Sequence, residues 1–202
     1  MTTTPPPDID PTAFGGRIIP DIDWEGDDHR LPATADQFVT CGDSSIAMAA
    51  AWASDGRIIH DGSVYRASDP APGGVDFPHL AVELQKVAGL KLIVPTGWTW
   101  GNCSWNLMQG TGLVVMGKYS ALVEPYREQV AADFLHFIFL CYRSITSGVR
   151  LLDPLNKNVA SQGKWVPAPV VRAFIESATG LYGRSGVQVA YINNQPLLPA
   201  GH

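Results

Sequence analysis

The chain reads as an α+β protein, on three observations. Helix-type patterns come first, and strand-type runs mostly gather in the second half, an order that does not repeat as βαβ. The stretch "LHFIFLCYRSITSGVRLLDPL", residues 135–155, places two β-rich runs around the turn-like "RSITSG", the clearest hairpin in the chain. Its 202 residues, 46% apolar and only 16% charged, are enough for one good core or at most two small ones.

The elements follow in order. Residues 1–30 are rich in Pro, Thr, Asp and Gly and read as an extended arm. The globular part is expected over 31–192, with 193–202 as a polar, Pro-containing tail. "GDSSIAMAAAWA", 42–53, predicts a helix with Asp43, Ser44 or Ser45 as its cap. "FPHLAVELQKVAG" has apolar residues at 80, 84 and 87 and a closing Gly89, an amphipathic helix with a stop signal. "LKLIVP" predicts a short strand, and "NCSWNLMQG" a short helix capped by Asn102 and closed by Gly110. "GLVVMGKY" predicts a buried strand. After the hairpin, "APVVRAFIESATG" predicts a helix and "GVQVAYI" a closing strand.

Composition excludes several function classes. The net charge is −5 with no basic block, which speaks against nucleic-acid binding. The longest apolar runs are too short to cross a bilayer. The start, "MTTTPPPDIDPTAFGG", has neither a positive n-region nor an apolar h-region, so no secretory signal is expected. The protein is expected to be made in the cytoplasm and to act there, or at a cell wall or within a virion by a signal-free route. Cys41, Cys103 and Cys141 are odd in number and have no C-x-x-C spacing, against a disulfide scaffold or a zinc site. No metal or cofactor is expected.

A catalytic cysteine needs two things that favour its thiolate: a helix N-terminus and a nearby imidazole. Cys41 stands just before the first helix. Cys103 is the rival, because "GNCSWNL" also opens a helix; its flanking Trp100 and Trp105 suggest packing or a substrate wall. Among the five histidines, His136 opens the strand "HFIFLCY". Alternation puts His136, Ile138 and Leu140 on one face and Phe137, Phe139 and Cys141 on the other, so Cys141 points away from His136. If the hairpin pairs 142 with 149, partner numbers have an odd sum. His136 and Asp153 then share a face, directly opposite or one diagonal step apart. Asp153 can orient one imidazole nitrogen and leave the other for a thiol. Taken singly, a lone Cys before an Ala-rich helix and a His at a strand start are more often structural; the combination points to nucleophilic chemistry.

"TCGDSSIAMAAAW" resembles the nucleophile segment of papain-like cysteine peptidases of the bacteriocin-processing type. "LHFIFLCYRS" and "GVRLLDPL" resemble the His strand and the "DP" strand of that family, and "WVPAPVVRAFIES" the segment after it. The run Q-G-x-G-x-V-V-x-G-x-Y at 109–119 is similar to peptidase domains of actinobacterial phage lysis and tail proteins. The resemblance spans about residues 35–192. It implies a papain-like fold, a helical part carrying the Cys and an antiparallel sheet carrying His and Asp. It also implies Cys41 as nucleophile, His136 as general base and acid, Asp153 as its orienter and Gln37 as an oxyanion donor. Gln37 stands four residues before the Cys, where the family has five or six, and Asp43 stands where the family commonly has Pro. The implied substrate is a peptide, such as a peptidoglycan stem peptide, with Trp98, Trp100, Trp105, Tyr119 and Tyr126 as candidate cleft walls. The alternative is a catalytically idle module of a virion or tail, and a third reading is an acyltransferase using the same three residues.

Overall fold

The computed structural model describes residues 41–54, 56–60, 62–65, 75–127, 134–155, 163–179 and 189–192. The expected arm 1–30, Gln37 and the tail 193–202 lie outside the described residues. Within them stand helices α1 (Cys41–Ala53), α2 (Phe77–Ala88), α3 (Trp100–Met108) and α4 (Ala168–Ser177). The strands are β1 (Leu92–Ile93), β2 (Gly112–Lys118), β3 (Leu135–Ser144), β4 (Gly148–Leu152), β5 (Lys164–Val166) and β6 (Val189–Ile192). They form a six-stranded sheet in the order β1-β6-β2-β3-β4-β5, and every neighbouring pair is antiparallel. The α+β class is therefore as expected.

Both faces of the sheet are covered. α1 and α2 pack on one face against Val114, Met116, Phe137, Phe139 and Cys141; α3 and α4 pack on the other against Leu113, Val115, Ile138 and Leu140. The alternation expected along β3 is the division between the two cores. Trp52 meets Phe139 edge-on at 5.6 Å, and Phe77 meets Phe137 at 5.2 Å, tying both helices of the first face to β3.

α1 is buried along its whole length. A helix of small and apolar residues on every side belongs inside a fold, and its alanines allow close approach to β3. Gly42 serves the approach of α1 to α2 and the residues just before it, since a Cβ there would stand 2.7 Å from Val75 Cγ2 and 3.2 Å from Leu80 Cδ2. Asp43, Ser44 and Ser45 lie inside the helix, which corrects their expected role as caps.

Other boundaries also differ from the expected ones. α2 is capped by Asp76, whose carboxylate accepts from His79 N–H at 3.0 Å, and it ends on Gly89 at φ 67° as expected. α3 starts three residues early because Thr99, not Asn102, is its cap: Asn102 N–H donates to Thr99 Oγ1 at 3.2 Å. β1 keeps only two residues of "LKLIVP". β5 and a 3-10 turn at Gly62–Tyr65 were not anticipated; neither exceeds four residues, too short for a periodicity to show.

The hairpin forms with one irregularity. Next to the turn, Tyr142 pairs with Arg150 rather than residue 149, and a shift between Leu140 and Tyr142 then brings Phe139 opposite Leu152. Cys141 is the residue absorbed by this bulge. Past it the partner numbers again have an odd sum, which leaves His136 and Asp153 one diagonal step apart on the same face. None of the three cysteines is in a disulfide. Among the described residues, no helix is long and apolar enough to cross a membrane, and no group of three His, Cys, Asp or Glu could hold a metal ion.

Candidate active site

His136 is the second residue of β3 and only 1% exposed. Its Nε2 lies 2.7 Å from Asp153 Oδ1, and Asp153 is itself 5% exposed. Asp153 follows the last residue of β4, where Pro154 ends the strand. Its Oδ1 also accepts the Leu155 N–H at 2.9 Å, an Asx-type turn that fixes the carboxylate before it meets the ring. The Cys41 side chain interacts electrostatically with the same imidazole and favours its protonated form. With Nε2 engaged by Asp153, Nδ1 is the nitrogen left for the thiol. Cys41 packs with the α1 face, whereas Ile138 and Leu140 beside His136 pack with the other. The contact is therefore made at the end of the sheet where β3 begins.

Burial by itself would push the His136 pKa down. The charge and hydrogen bond of Asp153, with a further contribution from Cys41, outweigh it and hold the imidazole up at about 10. The ring therefore keeps its proton to higher pH than an ordinary histidine, chiefly because Asp153 faces it.

Two aromatic rings hold the histidine. Tyr119 and Phe134 stack on each other at 5.1 Å, and they meet the imidazole edge-on at 5.0 and 5.8 Å. Tyr119 is fully buried, so the structure makes it a wall of the His136 pocket rather than an open cleft surface. This clamp was not legible in the chain: Tyr119 lies past the end of β2 and Phe134 just before β3, and only their pairing brings the rings together. Tyr119 N–H donates to Phe134 C=O at 2.9 Å at that junction.

Burial disfavours the thiolate at the other two cysteines. Cys103 is fully buried, and burial pushes its thiol up to about 11 despite Tyr191 Oη at 3.9 Å. Cys141 is buried too and pushed up to about 12, chiefly by burial. The raised thiol makes Cys103 the less favourable of the two candidates for a thiolate. The expected aromatic walls part company: Trp98 and Trp100 line a pocket that contains none of Cys41, His136 and Asp153, while Trp105 is 62% exposed on α3 and is not in that lining. Tyr126 packs against the second core.

A papain-like peptidase fold is what these elements define: a buried helix bearing Cys at its start, then an antiparallel sheet bearing His and Asp. A crystal structure described as that of a C39-like peptidase from Bacillus anthracis is similar to this chain with a TM-score of 0.50, over 81% of this chain and 92% of that one. The sequences are 14% identical, so the likeness is one of fold. No family profile matches the chain, and no curated protein matches it.

Proposed function

We propose that the protein is a cysteine peptidase in which Cys41 is the nucleophile, His136 the general base and acid, and Asp153 the residue that orients His136. The observation that carries this reading is that His136 is held by Asp153 through Nε2 while the Cys41 side chain acts electrostatically on the same imidazole. Sγ of Cys41 forms a bond to the carbonyl carbon of the scissile amide, and the C–N bond breaks as His136 gives its proton to the departing amine. Water then attacks the thioester, His136 takes its proton, and the acid leaves as the thiol is restored. The Cys41 backbone N–H and the Gln37 side chain are the proposed oxyanion donors. The proposed substrate is a stem peptide of peptidoglycan, supported by the similarity of the 109–119 run to phage lysis and tail peptidase domains.

One observation favours the second reading, an idle module: Asp43 is buried two residues from the thiol, where a carboxylate opposes a thiolate. Two measurements separate the readings. Iodoacetamide at about pH 6 should label Cys41 alone, leaving Cys103 and Cys141 unmodified, as read by peptide mass; an unlabelled Cys41 favours the idle module. Purified cell wall incubated with wild type should release new amines, and Cys41→Ala should lower that rate at least ~10⁴-fold, as expected when a nucleophile is removed. Equal release by both proteins would end the assignment to Cys41. Cleavage of a plain peptide without release from cell wall would keep the peptidase and remove the substrate.

A further inference from the structure

We infer that the pocket between the β1–α3 connection and α4 is a binding site for a neutral saccharide. Its volume is about 500 Å³, inside the range of roughly 300–1,000 Å³ usual for small-molecule sites. Trp98, Thr99 and Trp100 line one side, and Arg172, Glu176 and Thr179 the other. The reacting side chains are absent from it, so the inference does not rest on the peptidase reading.

The lining specifies the ligand. Both indoles are part-buried at the edge of the second core; the Arg143 guanidinium stands over the Trp100 ring, 5.7 Å from its centroid, so Trp98 is the indole proposed to stack on the ligand. Across from it, Arg172 Nε donates to Glu176 Oε1 at 2.7 Å, one turn apart on α4. Their side chains are 55% and 48% exposed, where an ion pair adds little to stability. What the pair does supply is a fork of donors and a carboxylate acceptor in fixed register. Arg143 is not part of the lining, and within the lining the charges of Arg172 and Glu176 cancel, so an anion would face Glu176 and a cation Arg172; a neutral ligand meets neither penalty. Thr99 Oγ1 already accepts from Asn102 N–H, which leaves its own proton for a ligand oxygen. A molecule with a flat C–H face to lie on indole and a rim of hydroxyls to engage carboxylate, guanidinium and threonine is a pyranose ring. An apolar peptide side chain would use the tryptophans and leave the ion pair idle.

Calorimetric titration and tryptophan emission of the intact chain test this with cellotetraose and chitotetraose, both neutral and β-linked, and with an uncharged Ala-Phe peptide as the competing class. At least one saccharide should bind with Kd on the order of 1 mM or tighter. Trp98→Ala should abolish that binding. Arg172→Ala and Glu176→Ala, at exposed positions where folding is not at stake, should each weaken it at least about tenfold, the loss expected for a charge-assisted hydrogen bond. Cys41→Ala should bind as wild type does. No binding of either saccharide up to about 10 mM overturns the inference. So does binding unchanged in both the Arg172 and Glu176 variants, or tighter binding of the peptide than of the sugars.

Discussion

Asp153→Ala is expected to lower turnover of a peptide substrate about 100- to 1,000-fold, within the span usual for general acid–base contributions. The loss should fall on kcat, because the carboxylate touches the histidine and not the substrate. The same change leaves the His136 Nε2–H and the Leu155 N–H without their acceptor in a buried place, at a cost of about 1–3 kcal/mol each. Asp153→Asn keeps an acceptor oxygen and separates the two effects. It should retain more activity and most of the stability while removing the negative charge beside the ring. Folding holds the His136 pKa above the ordinary imidazole value, up to about 10. The protonated ring therefore contributes stability that is complete below about pH 6.5 and is lost as pH rises toward about 10. In Asp153→Asn that decline should shrink, and the His136 ring resonances should titrate at lower pH. A ring that titrates in the variant as it does in the wild type would show that Asp153 does not set its charge.

Gly117→Ala is expected to destabilise the protein by at least about 3 kcal/mol, the upper part of the range for overpacking. A Cβ at Gly117 would stand 2.2 Å from the carbonyl oxygen of Phe174 and 2.7 Å from its carbonyl carbon. These are backbone atoms of α4, so no side-chain rotation relieves the clash. The helix is also tied down there: Lys118 N–H donates to Ser177 Oγ at 2.8 Å, and that hydroxyl donates to the Phe174 carbonyl. α4 must therefore move off β2. Gly117 pairs across the sheet with His136, so the same movement reaches the site. For a chain of this size the melting temperature should fall by roughly 6–12 °C in calorimetry. A fall within about 2 °C would mean that α4 yields easily and that the glycine is incidental.

Much of the fold was legible because it is written locally. The 3.6-residue pattern of 77–88 and the αL glycine at 89 lie within one element, and the two-residue alternation of β3 separates Phe137 and Phe139 from Ile138 and Leu140 without knowledge of what covers either face. The same alternation put His136 and Asp153 on one side. The pairing next to the turn was misjudged by one residue, yet the bulge at Cys141 left the parity at the far end intact. Thr99 was missed as a cap because the equally suitable Asn102 lies one turn further on.

Periodicity, turn residues and the order Cys, His, Asp were thus settled by the chain itself, since each depends on neighbours a few positions away. Only the tertiary structure inserted β6 between β1 and β2, closed Tyr119 and Phe134 around the imidazole, and brought Trp98 and Trp100 to Arg172 and Glu176. Those meetings join residues far apart along the backbone, and which of the many possible contacts forms is decided by how all the buried surfaces fit at once.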